Sequence, residues 1–384
     1  MMIYFDNSAT TKVAPQVLKT YQTVSEQIWG NPSSLHALGE TADNLLEQSR
    51  RQIAGLLGCA PHEIFFTSGG TEGDNWVIKG TAFAKRTFGK HIITSAIEHP
   101  AVLNSMKQLE ELGFEVTYLP VDVHGQVQPE DLRKALRSDT ILVSVMAINN
   151  EVGSVQPLAE IADILEKHPS VHFHVDAVQG IGKGIGELLK LERIDFLTFS
   201  GHKFHAPRGI GFIYKKAGRM LAPLMAGGGQ EKNQRSGTEN LPAIAGMSKA
   251  LRLLLENEEQ NVSKEREIKR RIYDHIVQEE NVTVFSELGA ASSPHILCFA
   301  IGGVRGETIV HAFEEKGIYI STTSACSSKK GTVSGTLNAM GIVEKIATSA
   351  VRVSLDENNT LAEADKFNQA FDQIYARFAK VFVK

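Results

Sequence analysis

Cysteine is scarce in this sequence: Cys59, Cys298 and Cys326 are the three thiols among 384 residues. They are too few and too scattered for a disulfide framework or a zinc cluster, so a reduced, cytoplasmic protein without a structural metal is expected. No apolar run approaches the roughly 18–20 residues that span a bilayer. Met1-Met2-Ile3-Tyr4-Phe5-Asp6 has neither a basic region nor an apolar one, so no signal peptide and no membrane partner are expected. Neither sign of charge dominates. The net charge of -4 argues against a strong, direct, non-specific hold on nucleic acid, local basic patches aside. Biased tracts and internal repeats are missing too, which excludes linker-like and solenoid architectures.

What is there is an ordinary soluble composition, 42% hydrophobic and 22% charged, with 33 Gly and 12 Pro. The length suits one large domain plus a smaller one. Short β-branched or aromatic runs mark strands at Glu63–Thr67, His91–Ser95, Val116–Leu119, Ile141–Ala147, Val171–Val175, Phe196–Phe199 and Gly211–Tyr214. Amphipathic segments such as Pro129–Arg137 and Pro157–Lys167 lie between them. This alternation predicts an α/β fold with a mainly parallel seven-stranded sheet covered by helices on both faces. Leu241–Glu280 reads as a helix or helix pair leaving that sheet. Strands near Val282–Phe285, His295–Ile301 and Ala350–Leu355 then alternate with helices near Glu307–Lys316 and Leu361–Lys380. The expected division is a large domain over 15–255 and a small α+β domain from 1–14 and 256–384.

In such sheets ligands bind beyond the carboxyl ends of the strands. After Thr67 comes Ser68-Gly69-Gly70-Thr71-Glu72 and a helical run. Small residues there let backbone N–H groups approach an anion, and the helix end adds about half a positive charge. An ordinary Ser or Thr N-cap would look the same. No Gly-Lys-Ser/Thr follows, so this is not a P-loop. Asp176 ends the apolar run Phe173-His174-Val175 and needs a cationic partner if buried. A protonated ring nitrogen of a cofactor would serve, as would a helix end or a structural ion pair. Lys203 follows Phe199 in Ser200-Gly201-His202-Lys203-Phe204-His205, among aromatic residues and histidines that suit an imine-forming amine. His99, after Ile97-Glu98, either stacks on such a ring or is structural. Asp176 and Lys203 at successive strand ends form the pair that a pyridoxal-phosphate site requires.

Seven ordered stretches carry a resemblance: Asp6-Asn7-Ser8-Ala9-Thr10-Thr11, Gly30-Asn31-Pro32-Ser33-Ser34, Thr67-Ser68-Gly69-Gly70-Thr71-Glu72, Asn149-Asn150-Glu151, Ser200-Gly201-His202-Lys203, Arg235-Ser236-Gly237-Thr238 and Ser324-Ala325-Cys326. Nearly end to end, the chain resembles the NifS/IscS-type cysteine desulfurases of the class V aminotransferase branch. The resemblance implies a fold-type I pyridoxal-phosphate enzyme, a homodimer with its sites at the interface, acting on L-cysteine. It makes Lys203 the Schiff-base lysine and Asp176 the partner of the pyridine nitrogen. Gln179 and Asn150 would contact the ring oxygen, and His99 would stack on the ring. Gly70, Thr71, Ser200 and His202 would hold the phosphate, joined by Thr238 of the neighbouring subunit. Arg352, in Val351-Arg352-Val353-Ser354, would clamp the substrate carboxylate through the two-pronged geometry that suits a guanidinium.

The cysteines can be ranked from their settings. Cys298 lies inside Ile296-Leu297-Cys298-Phe299-Ala300-Ile301 and reads as an inert core thiol, and Cys59 follows a helix end. Cys326 precedes Ser327-Ser328-Lys329-Lys330-Gly331-Thr332-Val333-Ser334-Gly335, polar and glycine-rich, where movement is expected and two lysines favour the thiolate. By itself this equally describes a surface thiol. The resemblance makes Cys326 the nucleophile that takes sulfur from cysteine, releases alanine and keeps a persulfide. The stretch toward Leu337-Asn338-Ala339-Met340-Gly341 resembles the long-loop group of that family. The chain closes at Val381-Phe382-Val383-Lys384, without the further tail of relatives that serve iron–sulfur scaffolds. The expected acceptor is therefore a tRNA- or thiamine-thiolating sulfurtransferase, with iron–sulfur assembly as the alternative. An aminotransferase or selenocysteine lyase would use the same site without Cys326. A non-catalytic interaction protein is the rival of another class.

Overall fold

The computed structural model describes residues 2–323 and 334–382. Strand β1 (Ile3–Tyr4) is followed by β2 (Ile64–Thr67), β3 (His91–Ser95), β4 (Glu115–Leu119), β5 (Thr140–Met146), β6 (His172–Asp176), β7 (Phe196–Ser200) and β8 (Gly211–Lys215). Strands β2 to β8 form one seven-stranded sheet in the order β2-β8-β7-β6-β5-β3-β4. Every residue of β3, β5, β6 and β7 is buried, as expected for strands covered on both faces. The apolar runs expected as strands are these elements, to within about one residue at each end.

Direction matters more than count. β3, β4, β5, β6 and β7 are mutually parallel. β8 is antiparallel to β7 and to β2, so β2 runs the same way as β7. The carboxyl ends of β2, β3, β5, β6 and β7 therefore open on one edge of the sheet. Asp176 closes β6, and Gly70, His99, Asn150 and Lys203 follow the ends of β2, β3, β5 and β7.

Leu241–Glu256 and Glu258–Ile276 are two helices broken at Asn257, which leads the chain out of the sheet. Strands β9 (Val282–Val284), β10 (Ile296–Ile301), β11 (Ile318–Tyr319), β12 (Ser321–Thr322) and β13 (Ala350–Ser354) follow. A four-stranded antiparallel sheet has the order β12-β13-β10-β9. Its apolar face packs on helices 258–276, 306–314 and 361–382, with Phe313 and Phe367 stacked 4.6 Å apart. β1 pairs in parallel with β11, and Ile3 and Phe5 join this second core. The chain start is thereby fixed beside β13, against the edge of the large sheet.

Candidate active site

The turn after β2 is built without bulk. Gly69 caps helix Gly70–Lys85, and no side chain accepts from its first turn, so an ordinary Ser or Thr N-cap is not what forms here. A Cβ on Gly70 would come within 2.8 Å of Val178 Cγ2 and 3.4 Å of Ser200 Cβ. Glycine is needed for the helix N-terminus to sit against the ends of β6 and β7. Gly70, Thr71 and Ser200 thus meet at one anion-accepting helix end. Thr238 stays exposed, but its neighbour Arg235 grips Glu72 through Nε at 2.7 Å and Nη2 at 3.0 Å.

Lys203 lies on the 3-10 turn Gly201–Lys203 directly after β7. Its Nζ donates to the carbonyls of Ser8 at 2.6 Å and Ala9 at 3.0 Å. Residues 8–14 strap this turn. Thr11 N donates to His202 O at 2.9 Å, His205 N donates to Thr11 Oγ1 at 2.8 Å, and His202 Nδ1 is 3.2 Å from Thr10 Oγ1. Burial and the charges of Lys203 and Arg208 hold His202 down at about 4, so it is a neutral donor at pH 7.

Asp176 is 6% exposed, and its Oδ1 accepts from Val178 N at 2.9 Å. Burial pushes its carboxyl up to about 6, against the pull of that N–H and of Lys203. Below it lie two more buried acids. Asp74 is raised well above the carboxylate range by burial and then by Asp176, with Thr198 hydrogen-bonded to it. Its Oδ1 is 3.6 Å from Nε2 of His174, a ring whose own pKa burial depresses to about 3. Burial likewise lifts Glu98 to about 8. Burial thus pushes all three carboxyls up, and Asp176, at about 6, lies lower than Glu98, at about 8. His99 caps helix Pro100–Glu111, its Nδ1 accepting from Ala101 N at 3.1 Å. Burial and Lys203 depress it to about 4, so the ring that caps this helix is neutral at pH 7.

Gln179 donates from Nε2 to Ser8 O at 2.9 Å, and its Oε1 is 3.3 Å from His295 Nε2. Ser8 O thus receives both Lys203 and Gln179. Arg352, 3% exposed on β13, donates from Nη1 to Asn150 O at 2.8 Å and from Nη2 to Asp6 Oδ1 at 3.0 Å. Asn149 fixes that turn by accepting from Glu151 N and Val152 N, each at 2.9 Å. Of the sequence candidates, Lys203, Asp176, Gln179, His99, His202, Gly70, Thr71, Ser200, Asn150 and Arg352 converge on the one sheet edge and the β13 seam facing it. Cys326 lies outside the described residues. Cys298 is fully buried and its thiol is pushed well up, and burial raises Cys59 to about 12.

The sequence reading gave no role to Asp6, Ser8, Asp74, Glu98, His174 or His295. Asp6 and Ser8 stood in a quoted motif, and Asp74 falls one helical turn after Gly70, which was the available signal. His295 carried none.

A lysine amine, a buried aspartate without a fixed cation, and a glycine helix end with hydroxyl donors suit three parts of one molecule. They are an aldehyde, a protonated pyridine nitrogen and a phosphate, and the donor set fits pyridoxal phosphate. The chain belongs to the class-V aminotransferase family, whose model matches residues 3–367. It is a pyridoxal-phosphate-dependent enzyme of that family, and within it the similarity runs to the NifS/IscS type. A "NifS/IcsS protein homolog" of Lactobacillus delbrueckii subsp. bulgaricus is 59% identical over 380 residues, 99% of each chain. "Cysteine desulfurase IscS" of Methanosarcina thermophila is 41% identical over 97% of this chain and 91% of its own. A solved structure titled "NIFS-LIKE PROTEIN" superposes with a TM-score of 0.92 at 39% identity, covering 98% of this chain and all of that one. No helix among the described residues is long and apolar enough to cross a membrane.

Proposed function

We propose that this chain is a cysteine desulfurase: it converts L-cysteine to L-alanine and carries the sulfur as a persulfide on Cys326. The reading rests on one convergence. Lys203, Asp176 and Arg352 meet at a single strand-end site, in a chain 41% identical to a protein named cysteine desulfurase.

When bound, pyridoxal phosphate supplies an electron sink that weakens bonds at the substrate's α- and β-carbons. Lys203 would hold it covalently and move the α-proton, and the Ser8 and Ala9 carbonyls orient its Nζ until then. Asp176 would keep the ring nitrogen protonated, a task that suits a buried carboxylate whose Oδ1 is fixed by Val178 N. Gln179 and Asn150 would donate to the ring oxygen, and His99 would cover the ring as a neutral imidazole that can pass a proton. Gly70, Thr71, Ser200 and His202 would bind the phosphate, with Thr238 of a second subunit. Exposed Trp29, Leu35 and Leu38 beside Gly30–Ser34 support a homodimer. Arg352 would take the substrate carboxylate.

The thiolate of Cys326 then attacks the substrate sulfur; the S–Cβ bond breaks, and its electrons remain with the carbon that becomes the methyl group of alanine. Among the cysteines, Cys59 and Cys298 are held as thiols by burial, which favours Cys326 for this step. The acceptor is proposed to be a cytoplasmic protein, a tRNA- or thiamine-thiolating sulfurtransferase ahead of an iron–sulfur scaffold. The resemblance of residues 326–341 to the long-loop group supports a protein acceptor. The division into 15–255 and 1–14 with 256–384 belongs to the same proposal, supported by two separate hydrophobic cores.

Cys326→Ala tests the reading. The variant is expected to stay yellow but to form no alanine from cysteine, while the unmodified protein gains a persulfide mapped by mass to Cys326. Full alanine formation by the variant would leave a lyase of the selenocysteine-lyase kind, which needs no Cys326, whereas a keto acid in place of alanine from the unmodified protein would leave an aminotransferase. Transfer of labelled sulfur to a scaffold but not to the sulfurtransferases would reverse the choice of acceptor.

A further inference from the structure

Asp6 opens the segment that threads the site, yet neither the cofactor nor the thiol gives it a task. Its place is fixed from several sides. Asp6 forms a parallel bridge with Ser354, two residues beyond Arg352 on β13. Asn7 N donates to Ser354 O at 3.2 Å, Ser8 N donates to Ser354 Oγ at 2.9 Å, and Asn7 Nδ2 donates to Asn359 Oδ1 at 3.2 Å. The backbone thus holds Asp6 against the strand that carries the arginine, and the 3.0 Å bond to Nη2 follows from that docking.

Arg352 is held at two corners. Nη1 serves Asn150 O and Nη2 serves Asp6, while the buried Nε has no hydrogen-bond partner. A guanidinium is rigid and planar, so fixing two corners fixes the direction of the third. An unsatisfied buried donor is costly and marks a place where a ligand atom belongs. Asp6 also feels the charge of Lys203, the proposed cofactor amine, while bonded to Arg352. Burial pushes its carboxyl up, and Arg352 and then Lys203 pull it back.

We propose that Asp6 is a positioning residue for Arg352, holding the guanidinium so that its buried Nε–H meets the α-carboxylate of the incoming amino acid. This rests on the reading of Arg352 as the carboxylate clamp. Asp6 touches neither cofactor nor reacting atoms; it acts on where the substrate's carboxylate lands.

The test uses the holoenzyme with Asp6→Asn, Asp6→Glu and Arg352→Ala. Two quantities are read: the change in the cofactor's absorbance on titration with L-alanine, and KM and kcat separately for L-cysteine. Asp6→Asn is expected to retain the cofactor. Its half-saturation by L-alanine and its KM for cysteine should rise about tenfold or more, the scale of one charge-assisted bond, with kcat changing less. Asp6→Glu should recover part of the loss. An Asp6→Asn protein with unchanged KM and unchanged L-alanine titration overturns the proposal. So does one that loses the cofactor, or whose kcat alone falls. Arg352→Ala separates the two layers of argument: normal KM there sinks the clamp itself, whereas raised KM there with normal KM in Asp6→Asn sinks the role of Asp6 alone.

Discussion

Two charged regions of this molecule obey opposite rules. On the floor of the site, at the ends of β6 and β7, Asp74, Glu98 and Asp176 are all pushed upward and His174 downward, burial being the first cause in each case. Along the seam where β13 and the chain start meet the large sheet, opposite charges are matched. Arg352 holds Asp6, and His205 Nε2 lies 3.1 Å from Glu357 Oε1. There the His205 pKa rises and that of Glu357 falls to about 2. The seam pairs its opposite charges within the fold, with the buried Nε of Arg352 left over. The floor holds Asp176 without an ion-pair partner among the described residues, and under the proposed function its partner would be the cofactor's ring nitrogen.

The sharpest way to break this contrast is Asp176→Asn. If the floor anion acts on a bound cation, alanine formation should fall on the order of 10²–10³-fold, the scale of losing one preorganised electrostatic group. Near-normal turnover would show that the floor is merely polar. Next is Arg352→Ala read as stability. Removing one partner of a buried ion pair costs about 3–5 kcal/mol. The Asp6 side chain keeps 22% of its exposure, so the low end is expected in a denaturant titration.

The seam pair His205–Glu357 gives a smaller, pH-dependent effect. The histidine contribution, from a raised pKa, is full below its ordinary value near 6.5 and is lost as pH rises through the raised one. The glutamate contribution, from a lowered pKa, is full above 4.5 and is lost as pH falls toward about 2. His205→Gln should therefore cost about 1.5 kcal/mol between those limits and progressively less at alkaline pH. Melting temperatures of both proteins from pH 5 to 9 check the sign; a gap that widens with pH would contradict it. Arg377→Ala, which removes an exposed partner of Glu315, should shift nothing measurable in the same melts.

Much of the sheet was legible because its strands are buried on both faces and read as unbroken apolar runs. The site was legible for a related reason: its residues sit immediately after those runs, so strand ends and candidates come together. Antiparallel β8 was not, since apolar runs carry no direction. The two-residue strands β1, β11 and β12 are too short for any alternation to register. The seam was least legible. Asp6 and Arg352 are 346 positions apart, and nothing local to either names the other. The buried His174, Asp74 and Glu98 come together near Asp176 only in the fold, from three separate segments.

The pairing of the chain start with its far end also sets an order of assembly. Ile3 needs Ile318, and Asp6 needs Ser354. A nascent chain emerges from its amino end, so residues 3–7 appear before the strands they pair with and can dock there only after β11 and β13 have been made. The large sheet can close much earlier, since its last strand ends at Lys215. A ribosome-bound intermediate should thus carry a formed sheet, with residues 8–14 able to strap the Lys203 turn but residues 3–7 not yet anchored. The most non-local contacts of the fold, the slowest kind to form, are the ones that finish the active site. Docking of residues 3–7 is timed to the making of β13.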